Sequence, residues 1–466
     1  MQELLWIIFG CAWKLYIYKK IQIYYPQNYI YFDSKTINLI IFVKIERMKS
    51  FLMKYKYQIG IIMLGILWIL ILNFLLQLQH QTVIFPDSTG YLASANNIYF
   101  YLRGDPYRPI LMGLISGIPY LFGGNDDSIF QFSLFVNSTA WLASSLILFE
   151  ILKDFIRKKW AFLFVLLYFS CVSCVLITYH LLAESLFTFF LLLFIYFLKK
   201  YYNNRKFVYL AIAVSVMIFS MLVKPASKFI AILVVLYFIN TLVQNYKKRT
   251  MILVYLALLA LVIQVAGLKY QFGDFTISYI DGVTYHDYIC SKAKCLEQGK
   301  EYQQMGNPRA DYLLALPFKD QKAVAEKDLI DQLKNNKTNL IKAYFMNLMD
   351  NSAHGCYIIM ECKNIAHTSY FSKASRVLYL LTALQNRIFT AFGFLLAILY
   401  IIKNRKTNVF YAFVGFLIVY IISISGISSD QGDRFHMVIY PFIIILIAKY
   451  LQEKNWIKPP FEPLQK

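Results

Sequence analysis

The chain has 466 residues, 59% of them hydrophobic and 16% charged, with a mean hydropathy of +0.51, which excludes the soluble globular class. Its formal charge of +21 suits a nucleic-acid binder on its face. The cations, however, fall in alternate loops between apolar runs, so the charge marks membrane orientation and excludes a basic nucleic-acid surface.

In chain order, residues 1–47 read as an N-terminal extension without a functional pattern, its apolar stretch short and interrupted by Lys14. From Met48, MKSFLMKYKYQIG runs through cations straight into a long apolar stretch. That is how a signal-anchor helix begins, with translation starting at Met48 or Met53. Runs of about 17–25 apolar residues, enough to cross a hydrocarbon core of about 30 Å, predict spans near 58–78, 129–151, 161–179, 182–198, 207–222, 229–245, 251–268, 386–402, 408–426 and 435–451. The expectation is an all-α polytopic membrane protein with roughly ten transmembrane helices.

The clusters Lys153, Arg157, Lys158, Lys159; Lys199, Lys200, Arg205, Lys206; Lys247, Lys248, Arg249; and Lys403, Arg405, Lys406 mark the cytoplasmic loops. The connections 80–128, 180–184, 223–228, 269–385 and 427–434 then face outward, and they carry most of the acidic residues. Four units follow: 1–47; a bundle over 48–268 including the outer loop 80–128; an extracytoplasmic segment over 269–385; and C-terminal helices with a cytoplasmic tail over 386–466.

Within loop 80–128, the moderately apolar 110–122 is broken by Gly113, Gly117 and Pro119 and reads as interfacial. Within 269–385, the stretch 319–349 is charged but places Val324, Leu329, Leu333, Leu340 and Ile341 at near-helical spacing, predicting amphipathic helices on the membrane or the bundle. Cys290, Cys295, Cys356 and Cys362 lie in this segment. In an oxidising compartment they allow three pairings, Cys290–Cys295 with Cys356–Cys362 being the most local, beside the alternative of free thiols.

The densest polar motif is FPDSTGY, with Asp87, Ser88 and Tyr91, followed by Ala95 and then Arg103, Arg108 and Pro109. A carboxylate at the membrane surface is what a general base needs to deprotonate a hydroxyl acceptor. HLLAESLFTFFLLLFIYFL sets Glu184 at a helix mouth beside His180; LVKPASKFIAIL puts Lys224 before a proline; QGDRFHMVIYPFIIILIA opens the last span with Arg434. In their order and common sidedness these landmarks resemble the type C membrane glycosyltransferases, specifically the bacterial relatives of protein mannosyltransferases and lipid A aminoarabinose transferases.

The resemblance implies sugar transfer from a polyprenyl-phosphate donor to a glycan, lipid or protein acceptor at the outer face of a bacterial inner membrane. On it, Asp87 is the base; Lys224, Arg434, Arg103 and Arg108 neutralise the donor phosphate; Ser88, Tyr91, His180 and Glu184 support them. A phosphate leaving group departs without a general acid, and the lack of a second acidic residue beside Asp87 argues against a required metal or other cofactor.

Each residue also carries a structural reading. Asp87 caps a helix starting near Ser88; Arg103 and Arg108 bind lipid headgroups or Asp105; Lys224 snorkels to the interface. Glu184 bonds His180 one turn away, and Arg434 bridges Asp433 or Asp430. The competing function is a transporter or flippase, which calls for ionisable residues near the bilayer midplane and broken helices. A polysaccharide polymerase or ligase is a third reading, though its cations concentrate in one later outer loop.

Overall fold

In a computed structural model, residues 34–78, 85–304, 306–361, 368–404 and 408–460 are described. The chain divides into two units, Met1–Ile59 and Gly60–Lys466. Of the first, residues 1–33 lie outside the described set, and with them most of the expected N-terminal extension; what is described there is the start of α1 (Ser34–Leu76). Every regular element among the described residues is helical.

The second unit continues with α2 (Pro86–Tyr101), α3 (Ile110–Ser116), α4 (Asp126–Leu152), α5 (Lys158–Ser170), α6 (Val172–Leu176), α7 (Glu184–Asn204), α8 (Phe207–Met221), α9 (Lys228–Gln244) and α10 (Ile252–Phe272). Short elements follow: α11 (Ile280–Val283), a π turn (Thr284–Cys290), α12 (Ser291–Glu297), α13 (Pro308–Ala315), α14 (Phe318–Asn335), α15 (Lys337–Ala353) and α16 (Tyr357–Glu361). The chain closes with α17 (Phe371–Asn404), α18 (Val409–Ser425) and α19 (Tyr440–Glu453).

Seven described helical stretches are long and apolar enough to cross a membrane, and an eighth if the pair Lys158–Ser170 and Val172–Tyr179, bent by 73°, counts as one. This is an all-α, multi-pass membrane protein. Of the ten expected spans, that at 161–179 is the bent pair, and those at 207–222 and 408–426 form in place as α8 and α18 but with only 15 and 17 residues. At 1.5 Å per residue these reach about 23–26 Å, short of a hydrocarbon core of about 30 Å. The span expected at 386–402 belongs to a longer helix that already begins at Phe371.

The span Gly432–Glu453 is the most enclosed, 67% buried against 22% for Ser50–Leu76. It packs on α4, α5, α17 and α18 and forms the centre of the bundle. Its Phe442, Ile443, Ile444 and Ile445 are fully buried, so an apolar helix that would suit lipid is here a protein core. One end of the bundle carries the basic loops, with Lys199 paired to Asp154 and Lys403 to Glu453.

The other end carries α11 to α16. The charged stretch expected at 319–349 forms two helices, broken at Asn336, whose side chain bonds Gln332 Oε1 and the Ala293 carbonyl. Leu340 packs with Ile289, Cys290, Ala293 and Ala343, and Leu329 lies against that cluster, whereas Leu333 and Ile341 are half exposed. Buried Asn347, Asn351 and Asn386 fasten this layer to the bundle. Asn351 Nδ2 donates to the Ser425 and Ser428 carbonyls, Asn347 Nδ2 to Gly426, and Asn386 Nδ2 to Asn351 and His354.

The Cys290–Cys295 bridge is not formed; both thiols are free. Five residues of continuous helix separate the two by about 7.5 Å along the axis, beyond the reach of a disulfide. Cys362, the other expected partner, lies outside the described residues.

Candidate functional site

Three connections and one long loop converge on a cavity of about 580 Å³ at the end of the bundle that lacks the basic loops. Asp87 enters from the first turn of α2. Pro86 at the first helical position has no N–H to leave unpaired, and an acidic residue in the first turn is favoured by the helix dipole. Phe85, not Asp87, is the N-cap residue, and no side-chain cap bond is made. The capping alternative is therefore replaced by another use of the carboxylate.

That use is an ion chain. Arg108 Nη2 donates to Asp87 Oδ1 at 2.9 Å, and Arg434 Nη1 donates to Asp87 Oδ2 at 2.6 Å. Arg434 Nε then donates to Glu184 Oε1 at 2.8 Å, and Lys224 Nζ donates to the same oxygen at 2.8 Å. Three cations thus hold two carboxylates, leaving one positive charge in excess. Glu184 and Arg434 side chains are 0% and 8% exposed, while Asp87 keeps 33% of its surface open toward the cavity.

Each cation also lies over an aromatic ring. Arg108 sits 4.7 Å from the Tyr91 centroid, Arg434 4.8 Å from Phe85 and Lys224 4.8 Å from Phe435. Rings of this kind hold a cation in place without neutralising it, so the charges stay available to an anion.

Local sequence explains the placement. Asp105 Oδ1 accepts from the Tyr107 and Arg108 backbone N–H groups at 2.9 and 2.8 Å, a side-chain turn that aims Arg108 back over α2. Gly90 makes room there: a Cβ on it would stand 3.1 Å from Arg108 Nε. Lys224 precedes Pro225, which bars the helical region and leaves Lys224 extended at φ −145°. Gly432, at φ +54°, turns the chain into the short helix that carries Arg434.

Burial pushes the Asp87 carboxyl upward, but the charges and hydrogen bonds of Arg434 and Arg108 outweigh it and hold the group well below the usual carboxylate range. In this state Asp87 is ionised and a weak base. Burial and then the Arg434 charge lower His180 to about 4, so its imidazole is neutral.

Of the nine residues singled out by sequence, Asp87, Tyr91, Arg108, Lys224 and Arg434 line the cavity, and Glu184 stands behind them. Ser88 and His180 are buried, and the Ser88 hydroxyl and both His180 ring nitrogens have no hydrogen-bond partner among the described residues. Arg103 is exposed and does not line the cavity. Leu102 ends α2 in the left-handed region at φ 52°, and the chain turns away there.

Three expected pairings are corrected. His180 does not bond Glu184, because α7 begins at Glu184 and His180 sits in the turn before it, outside helical spacing. Arg434 bridges neither Asp433 nor Asp430: the Asp433 carboxylate accepts from Ser173 Oγ instead. Arg108 meets Asp105 through its backbone only. Lys224 does not snorkel but turns inward to Glu184.

The sequence reading missed Lys228 and Asp281, an ion pair on the cavity wall, and Tyr288, Tyr357 and Gln431 beside them. Lys228 stands four positions after Lys224 in the same cation-bearing stretch, which was the available signal. Among the described residues, no three His, Cys, Asp or Glu side chains gather as a metal-ligating group. Comparison with family models, curated proteins and solved structures finds no match.

Proposed function

We propose that this chain transfers a sugar from a polyprenyl-phosphate carrier to a hydroxyl acceptor, at the outward face of a bacterial inner membrane. The observation that carries the reading is Asp87, exposed to a cavity and held on both oxygens by Arg108 and Arg434. A carboxylate between two guanidiniums is a base in reserve.

A donor phosphate brings an anion that competes for the same guanidiniums. As Arg108 and Arg434 turn to it, with Lys224 beside them, Asp87 loses the charges that depress its proton affinity. The freed carboxylate takes the acceptor's hydroxyl proton while that oxygen bonds to the anomeric carbon. The carbon–oxygen bond to phosphate breaks, and its electron pair leaves with the polyprenyl phosphate, which the cations stabilise. Donor binding and base activation are one event.

The bend of 73° between α5 and α6 favours a second reading, transport or flipping of a lipid-linked envelope precursor, since transporters use broken helices. The two part on one assay: radiolabelled sugar transfer from polyprenyl-phosphate donors to envelope acceptors, comparing the natural chain with Asp87→Asn at matched expression. Transfer that falls about 10²–10⁴-fold in the variant supports the enzyme and its base. Full activity in the variant removes Asp87 from the chemistry, and no transfer from any donor favours transport.

A further inference from the structure

Lys228, Asp281 and Tyr285 line the large cavity on one side and a second cavity, of about 290 Å³, on the other. They form a partition one side chain thick. Lys228 opens α9, where a cation opposes the helix dipole, and its ammonium is matched by the Asp281 carboxylate across the gap. The pair is partly open to solvent, with side-chain exposures of 23% and 35%. The pair closes the partition by charge, and Tyr285 adds an aromatic ring to it.

The far wall of the second cavity has a different chemistry from the first. Lys322 and Glu326 stand 4.0 Å apart on one face of α14, too long for a hydrogen bond, so each keeps donors or lone pairs to offer. Phe275, 70% exposed, lines the same cavity, with Lys269 Nζ 5.1 Å from its ring centroid. A lipid chain needs apolar walls, and a phosphate needs uncompensated cations. A ring bearing several hydroxyls needs donors, acceptors and an aromatic face, and that is the inventory here. The volume, near the lower limit of about 300 Å³ for small-ligand sites, admits one sugar ring.

We infer that the second cavity is an acceptor subsite that binds a sugar of the acceptor, next to the cavity that Asp87 lines and divided from it by the Lys228–Asp281 pair. The assignment of the occupant as acceptor rests on the transferase reading; its assignment as a sugar rests on the cavity alone.

The test uses the full chain in lipid nanodiscs with Val265→Cys, a partly buried residue of the same cavity with no polar group to offer a sugar, following alkylation of that thiol by a water-soluble maleimide through mass spectrometry of its peptide. The probes are methyl glycosides of common hexoses. At ten times its Kd, a bound glycoside slows alkylation about tenfold by occupancy. Adding Phe275→Ala to the same chain removes the protection; this ring is on the surface, so its loss spares the fold. Alkylation that no glycoside slows overturns the proposal.

The sugar-transfer assay, run in parallel, separates the two readings. Protection without transfer upholds the sugar site and sinks the transferase. Transfer without protection leaves the transferase standing and overturns the subsite.

Discussion

Arg434 and Asp87 are 347 positions apart in the chain and meet at 2.6 Å. Because Arg434 also holds Glu184, and Glu184 holds Lys224, the contact joins the first loop of the chain to its last span. A rigid guanidinium fork serves two carboxylates at once, which the single point charge of a lysine does not reproduce. Arg434→Lys is therefore expected to behave as a loss, with transfer reduced at least as far as in Lys224→Met, measured as kcat/KM for the donor in the same membranes.

The ion chain is also structural. Glu184 is fully buried, and its removal leaves Lys224 without its carboxylate and Arg434 with Asp87 alone in a poorly solvated site. Glu184→Ala is expected to destabilise the folded protein by about 3–5 kcal/mol, as when one partner of a buried pair is lost. Apparent melting temperature in detergent checks it. An Asp87→Asn chain, altered at the more open end of the same network, is expected to melt closer to the natural protein. The two variants thus separate folding from chemistry.

Sequence reasoning reached the ends of this network and missed its connections. Asp87, Glu184, Lys224 and Arg434 stood out because charges at helix mouths are costly there, a property each residue shows alone. Their pairing depends on how helices separated by tens to hundreds of residues pack, which periodicity does not encode. Nearest-neighbour partners therefore looked best, and His180 for Glu184 and Asp433 for Arg434 were both replaced by distant ones. Arg103 failed differently: it shares a motif with Arg108, but the left-handed Leu102 and the Asp105 turn send the two side chains to different places. The helices were legible because apolar runs of that length have few alternatives in a bilayer, and α8 and α18, though short, stand where such runs were expected, at Phe207–Met221 and Val409–Ser425.

Asp287, in the π turn outside the spans, gives a pH signature independent of catalysis. Burial raises its carboxyl from 3.8 to about 6, against the partial offset of His286 and Arg309, and its Oδ1 has no hydrogen-bond partner among the described residues. The folded state thus binds the proton more tightly than the unfolded one. The contribution of this group to stability is largest below about pH 4, falls as pH rises between about 4 and 6, and is flat above. Asp287→Asn is expected to abolish that slope and to stabilise the protein at pH 7 by about 1–2 kcal/mol after solvent screening. Thermal unfolding at pH 5 and pH 7 reads both effects, and an unchanged slope in the variant assigns the titration elsewhere.

The coupling of donor binding to base activation has its own pH signature. In the free protein Asp87 stays ionised well below the usual carboxylate range, so kcat/KM, which reports the free enzyme, is expected to show no acid limb near pH 4 from this group. Once a phosphate has drawn Arg108 and Arg434 away, the carboxyl returns toward its ordinary value of about 4, and kcat, which reports the complex, acquires an acid limb there. Arg108→Gln removes one of the two guanidiniums before any donor arrives. The variant is expected to bring an acid limb into kcat/KM as well, shifting the two profiles toward each other. Profiles that already coincide in the natural protein separate base activation from donor binding and leave Arg108 a phosphate ligand only.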